Sequence, residues 1–326
     1  MKRLSKPLLG LFHIAALAGC SLSQAPVLLS QPNNPATGAS QSVSSSICNY
    51  NQPASRKAEL LSAGWEKRLE DNFDSNPTST SNSLWSVWVG GAFNNELQLY
   101  TANATNLSVI PDSDNAANSV LSIRAVKETV VGPKYRQDVD ATPTTFEFTS
   151  ARIESKTLFA PGRGTSQLRF AARIKLPSGY GMWPAFWSYG NNWPTDGEID
   201  VLEARGNEPF LFQTNYFFGR QPNVNLVQNA AAYLTTSTSL TDCWHVYEVL
   251  WTKQSLTFLL DGQVVDVKTG GYVPDLYGRP ERLSLNLAVG GDFFYKDGAR
   301  PTPGQILLNE GEGQMLVDWV QVYSKK

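Results

Sequence analysis

The sequence predicts an all-β sandwich of antiparallel sheets, and three observations carry that expectation. From Leu168 to Leu176 the even positions are all apolar, while Arg169, Arg173 and Lys175 fall on odd ones. This is the two-residue repeat of a half-buried strand. Second, Leu256–Leu260 and Gln263–Val267 flank Asp261-Gly262, a dipeptide suited to the two positive φ angles of a type I′ hairpin turn. Third, the chain carries 9 Trp, 12 Tyr, 25 Gly and 19 Pro but is only 17% charged. That balance suits short strands joined by turns over an aromatic core. Gln314–Tyr323 reads as a final strand, and no amphipathic helix of length interrupts the pattern. Sheets of this kind curve and present one concave face.

At the N-terminus, Lys2, Arg3 and Lys6 precede an apolar run from Leu8 to Ala18. The run is too short for a stable bilayer span and has the length of a secretory signal. It ends in Leu17-Ala18-Gly19-Cys20, which resembles a bacterial lipobox. Residues 1–19 are then a lipoprotein signal peptide and Cys20 is the lipidated first residue. The expected location is exported: anchored to the membrane, or periplasmic or extracellular. A plain signal peptide cut near Ala25 is the alternative. Residues 20–59 are rich in Ser, Gln, Asn, Pro and Ala and read as a flexible tether. Residues 60–326 read as one folded domain, without internal repeats.

Removing residues 1–19 takes the net charge from −2 to about −5, which gives no support for nucleic-acid binding. A monomer is expected, with a membrane, through Cys20, as one partner. Cys48 and Cys243 either pair in an oxidising compartment or stay free. His13 leaves with the signal, so His245 stands alone and a His-rich zinc site is not expected. The absence of G-x-S-x-G argues against a Ser-His-Asp hydrolase.

The informative stretch is Trp193-Pro194-Thr195-Asp196-Gly197-Glu198-Ile199-Asp200-Val201-Leu202-Glu203. On a strand Glu198 and Asp200 share a face, and simple alternation sends Glu203 to the other. A β-bulge at Val201 or Leu202 returns it. Ile199 and Val201 then face a core and the acids face a cleft. Like charges on one face raise the pKa of at least one of them, as glycoside hydrolysis requires of its acid. The competing reading is a solvated acidic strand. Trp183, Trp187 and Trp193, clustered beside these acids, read either as core or as flat platforms for sugar rings.

Gly181-Met182-Trp183-Pro184-Ala185-Phe186-Trp187 followed by Trp-Pro-x-x-Gly-Glu-Ile-Asp-x-x-Glu resembles glycoside hydrolase family 16, in its laminarinase-like rather than its lichenase branch. Asn94-x-Glu96-x-Gln98 with Tyr100, Thr149–Ile153, Ala172–Pro177, Leu285–Gly291 and Val317–Val320 extend the resemblance across residues 65–323. It implies a β-jelly roll of two antiparallel sheets with a concave substrate cleft, and a retaining mechanism. By that match Glu198 is the nucleophile, Glu203 the acid/base, and Asp200 the residue that tunes the nucleophile. Asn94, Arg152, Trp183, Trp187 and Trp193 are the implied sugar contacts. No cofactor is required for the chemistry. Asp318 matches a position that helps hold a structural calcium in some members, an oxygen-ligand site.

The sequence departs from the family at Ala171, where a Glu is frequent, and in Phe212–Tyr216, where many glucanases carry a His. Val130–Thr145 reads as a long polar loop able to narrow one end of the cleft. The expectation is an endo-acting β-1,3 or mixed β-1,3/1,4 glucanase. The alternatives are the same chemistry on a galactan such as agar, and a silent glycan-binding protein on the same scaffold.

Overall fold

The structure is a computed structural model that describes residues 60–326, apart from 80–83, 137–138, 163 and 296–297. The expected signal peptide and tether, with Cys20 and Cys48, lie outside the described residues. In chain order the strands are β1 (Glu66–Asp71), β2 (Trp85–Val87), β3 (Gln98–Tyr100), β4 (Leu107–Pro111), β5 (Ser119–Arg124) and β6 (Val126–Pro133). There follow β7 (Pro143–Ser150), β8 (Arg152–Ser155), β9 (Gln167–Lys175), β10 (Met182–Tyr189), β11 (Glu198–Ala204) and β12 (Leu211–Phe217). The last six are β13 (Ala232–Thr235), β14 (His245–Trp251), β15 (Ser255–Leu260), β16 (Gln263–Thr269), β17 (Arg282–Val289) and β18 (Gln314–Lys325).

Two large antiparallel sheets result. One runs β16-β15-β14-β9-β18-β5-β4 with β1 also paired to β18, the other β13-β12-β11-β10-β17-β8-β2. Their facing sides form a single core. Phe170, Ala172 and Ile174 of β9 meet Phe186 of β10, Ile199 and Leu202 of β11, and Leu285 and Leu287 of β17 there, all fully buried. The expected strands appear as β9, the β15–β16 hairpin, β18 and β11. Asp261 and Gly262 have φ of 52° and 78°, the two left-handed residues that a type I′ turn demands.

One expectation needs correction. Much of Val130–Thr145 is strand rather than loop, because β6 and β7 pair from Val126↔Thr149 to Pro133↔Pro143. Threonine and valine are β-branched, so the polar side chains that suggested a loop equally suit an edge hairpin with one face in water. This hairpin joins β3 in a third sheet, β3 parallel to β7.

Candidate active site

The site is built by strand register. Asp200 pairs with Asn215 and Glu203 with Gln213 across β11 and β12, three residues against two. On the other side Leu202 pairs with Phe186 and Asp200 with Trp187, so Val201 is the extra residue. This bulge places Glu198, Asp200 and Glu203 on one face. Ile199, Val201 and Leu202 all enter the core on the other.

Each acid then heads a row across the outward face of the sheet. Glu198 lies between Tyr189 and Phe217, with Arg282 beyond Tyr189. Asp200 lies between Trp187 and Asn215, with Ser284 and Glu154 beyond Trp187. Glu203 lies between Ala185 and Gln213, with Asn286 and Arg152 beyond Ala185. Strands pair about 4.8 Å apart, so only the methyl of Ala185 stands beside Glu203, between Trp183 and Trp187 on the same strand.

Glu203 is the best-anchored of the three. Trp183 Nε1 donates to its Oε1 at 3.0 Å and Gln213 Nε2 donates to its Oε2 at 2.7 Å. Glu198 lies close to Asp200, and the Trp193 indole favours its ionised form. Asp200 is 3% exposed, and its Oδ2 finds no hydrogen-bond partner among the described residues.

All three carboxyls are pushed up from the ordinary range, and burial is the largest cause for each. The Glu203 charge adds to the rise at Glu198, and the charges of Glu198, Glu203 and Glu281 add to it at Asp200. The expected like-charge repulsion is therefore present but secondary to loss of water. An ionised carboxylate costs several kcal/mol to bury without a partner, so these acids share few charges between them and one or more hold a proton near neutral pH.

Glu281, which precedes β17, is a fourth buried acid under this cluster. It is 0% exposed, Ser188 Oγ donates to its Oε2 at 2.6 Å, and Oε1 has no partner among the described residues. Gly197, at φ 89°, makes room for it: a Cβ there would stand 2.6 Å from Glu281 Oε1. Burial holds the Glu281 carboxyl well above the usual range, with the Glu198 and Asp196 charges adding to it. The folded state thus keeps a proton that the unfolded chain releases above the ordinary Glu pKa. Stability from this group is fully present below that pKa and falls as pH rises from it towards the folded value. The slope is about 1.4 kcal/mol per pH unit for one proton. Glu281→Gln should remove that slope. Denaturant titrations from pH 5 to pH 8 should show a stability loss shallower by roughly one proton than in wild type, and equal slopes would contradict the protonated state.

The implied sugar contacts fare differently. Trp193 is 37% exposed, with its ring tilted 6.1 Å from Phe217, and is open to a ligand. Trp183 is half-buried and stacks at 4.7 Å on Phe293, which in turn carries the Arg205 guanidinium at 4.1 Å. Trp187 is held by its Nε1, which donates to Asn286 Oδ1 at 2.7 Å. Its ring already meets Tyr189 at 4.8 Å and Arg152 at 4.7 Å. These contacts fix the orientation of the half-buried ring.

Arg152 is buried and paired with Glu154, its Nε donating to Oε1 at 2.9 Å. Its guanidinium lies 4.3 Å from the Trp88 ring. Asn94 is exposed on the loop before β3, where its carbonyl accepts from Asp292 N at 2.8 Å. Gln213 occupies the segment where a His was expected, and it reaches the acid directly. Glu154, Tyr189, Glu281 and Phe293 are cleft or support residues that sequence reasoning did not single out. Each is ordinary by type, and only register or a distant loop brings it to the acids.

The calcium expectation at Asp318 meets a poor donor set. Arg173 Nη1 donates to Asp318 Oδ2 at 2.8 Å and Asn118 Nδ2 to Oδ1 at 2.7 Å. A guanidinium in contact already neutralises the carboxylate and would repel a cation, so these residues as arranged do not fit one. Cys243 is buried and disulfide-bonded. Cys48, the candidate partner, lies outside the described residues.

Buried acids that cannot all be ionised, set in a sheet face between indole rings, are what breaking a glycosidic bond requires, and fold and cleft together define a glycoside hydrolase. The chain belongs to glycosyl hydrolases family 16, whose profile matches residues 110–299. It is 31% identical over 246 residues to a glucan endo-1,3-beta-glucosidase of Cryptopygus antarcticus, covering 71% of this chain and 82% of that protein. It is 29% identical over 323 residues to glucan endo-1,3-beta-glucosidase A1 of Niallia circulans, covering 91% of this chain but only 42% of that relative. The endo-beta-1,3-glucanase structure from Pyrococcus furiosus aligns with a TM-score of 0.61 at 27% identity, over 80% of this chain and 94% of that one.

Proposed function

We propose that the protein is a retaining endo-glycosidase that cleaves β-1,3 or mixed β-1,3/1,4 glucans. The observation that carries this reading is the bulge at Val201, which sets Glu203 on the face of Glu198 and Asp200. In the first half-reaction the Glu198 carboxylate attacks the anomeric carbon while the Glu203 proton passes to the leaving glycosidic oxygen. In the second, the Glu203 carboxylate takes a proton from water, and that water displaces Glu198 from the sugar. Asp200, buried against Glu198, keeps a proton and donates it as a hydrogen bond to the nucleophile's carboxylate. The barrier to nucleophilic attack is thereby set by one hydrogen bond rather than by a second charge.

Reducing-end release from laminarin, lichenan and agarose tests this reading, with proton NMR of the first products. Cleavage of either glucan with the β-anomer appearing first is expected. Cleavage of agarose alone would move the activity to a galactan. Binding without cleavage of any of them would make the protein a glycan-binding one.

We also propose that the protein is exported and lipid-anchored through Cys20, on the strength of Leu17-Ala18-Gly19-Cys20. Cys20→Ala should move the protein from the membrane fraction to the soluble one with unchanged specific activity. A wild-type protein already soluble, and beginning at another residue, would refute the anchor.

A further inference from the structure

Glu96 is a half-buried carboxylate contributed by the segment before β3, where it bridges to Gly290 at the end of β17. Two chains of hydrogen bonds run to it, and every donor points the same way. In one, Val289 N donates to Gln98 Oε1 at 2.7 Å and Gln98 Nε2 donates to Glu96 Oε2 at 2.6 Å. In the other, Trp187 Nε1 donates to Asn286 Oδ1 at 2.7 Å, and Asn286 Nδ2 donates to Tyr100 Oη at 3.0 Å. Tyr100 Oη then donates to Glu96 Oε2 at 3.1 Å. A group that only accepts is built as a carboxylate acceptor. Both chains end on Oε2, and among the described residues no hydrogen bond reaches Oε1.

The position of Glu96 is as telling as its partners. Its charge interacts with those of Glu203 and Arg152 in the same cleft. A Cβ placed on Gly291 would lie 3.3 Å from both Glu96 Cγ and the Trp183 ring. Glu96 therefore overhangs the Glu203 row from the β17 side, opposite Gln213. Two side-chain relays spent on orienting one oxygen leave the other fixed in space, near the Trp183 ring that holds Glu203. Burial pushes the Glu96 carboxyl up to about 7, so an added donor on its open oxygen would hold it ionised.

We infer that Glu96 is a sugar-binding carboxylate whose Oε1 accepts a hydroxyl of the sugar unit lying beside Glu203. The inference rests on the proposed glucan hydrolysis, and its substrate is that of the same cleft. A hydrogen bond from a neutral hydroxyl to a fixed carboxylate forms in the bound substrate and persists in the transition state. Its loss therefore appears in KM and not in kcat.

The test is steady-state hydrolysis of the glucan by wild type, Glu96→Gln and Glu96→Ala, with thermal midpoints measured alongside. KM is expected to rise roughly 10- to 100-fold in Glu96→Ala and less in Glu96→Gln, which keeps an acceptor oxygen, with kcat within about threefold of wild type in both. A purely structural Glu96 would instead lower the thermal midpoint and kcat and leave KM alone, and that result overturns the inference. So does a wild-type KM in both variants when wild type is active. An inactive wild type would take down the hydrolytic reading and this one with it, so the two failures are told apart.

Discussion

Glu198→Ala should abolish turnover on every substrate, by a factor on the order of 10⁴–10⁶, whatever the leaving group. The covalent route needs an atom that attacks the anomeric carbon, and no other carboxylate on this face is placed to replace it. Asp200 is next along the strand but is nearly fully buried, at 3% exposed, and tied to Glu198. Glu203 is held away from attack by Trp183 and Gln213. The substitution also removes a charge from a crowded site, which lowers the pressure on Asp200 and should stabilise the fold at neutral pH. A variant more heat-stable than wild type yet inactive is the expected pair of results. Activity within tenfold of wild type on an activated aryl glycoside would remove Glu198 from the nucleophile's role. Formate or azide offered to the variant should restore turnover with inverted configuration, because a small anion then attacks from the vacated side.

Most of this architecture was legible in the sequence because it depends on local rules. The alternation in Leu168–Leu176, the Asp-Gly turn and the spacing of the acids are each read within ten or so neighbours, and the structure places β9, the β15–β16 hairpin and the bulge of β11 there. The bulge was legible for a physical reason: Ile199, Val201 and Leu202 all need the core, and only an extra residue lets them reach it while the acids stay together. What was not legible depends on residues far apart in sequence. Glu281 meets Ser188 across 93 residues and Asn286 meets Tyr100 across 186, and neither pair has a pattern of its own. The sequence left Trp187 open between a core residue and a sugar platform. The stacked Tyr189 and Arg152 that occupy its ring come from register, which spacing alone does not supply.

Removing the acid separates the two carboxylates by chemistry. Glu203→Ala should lower kcat on a glucan by about 10²–10⁴, since the leaving sugar hydroxyl departs only if protonated. On an aryl glycoside whose phenol leaves unaided, the first step should stay fast and the covalent intermediate accumulate, because water then lacks its base. A burst of phenol equal to the enzyme concentration is the reading to look for. Azide should accelerate the second step, since it attacks without giving up a proton, and should return a β-glycosyl azide.

The pH profile carries the same assignment. Burial raises both Glu198 and Glu203, with the Glu203 charge adding to the rise at Glu198, and the two titrate as one coupled system. Wild type should show a bell in kcat/KM, its rising limb reporting loss of the first proton from the set and its falling limb loss of the proton that Glu203 must give. In Glu203→Ala the falling limb should vanish on the aryl substrate, while the rising limb, set by the nucleophile, persists. Gln213→Ala and Trp183→Phe each strip one donor from the Glu203 carboxylate. Both should move the falling limb to higher pH, for a carboxylate with fewer donors holds its proton longer. A falling limb that survives Glu203→Ala unchanged, or that moves to lower pH when the donors are removed, would show that the proton comes from another group.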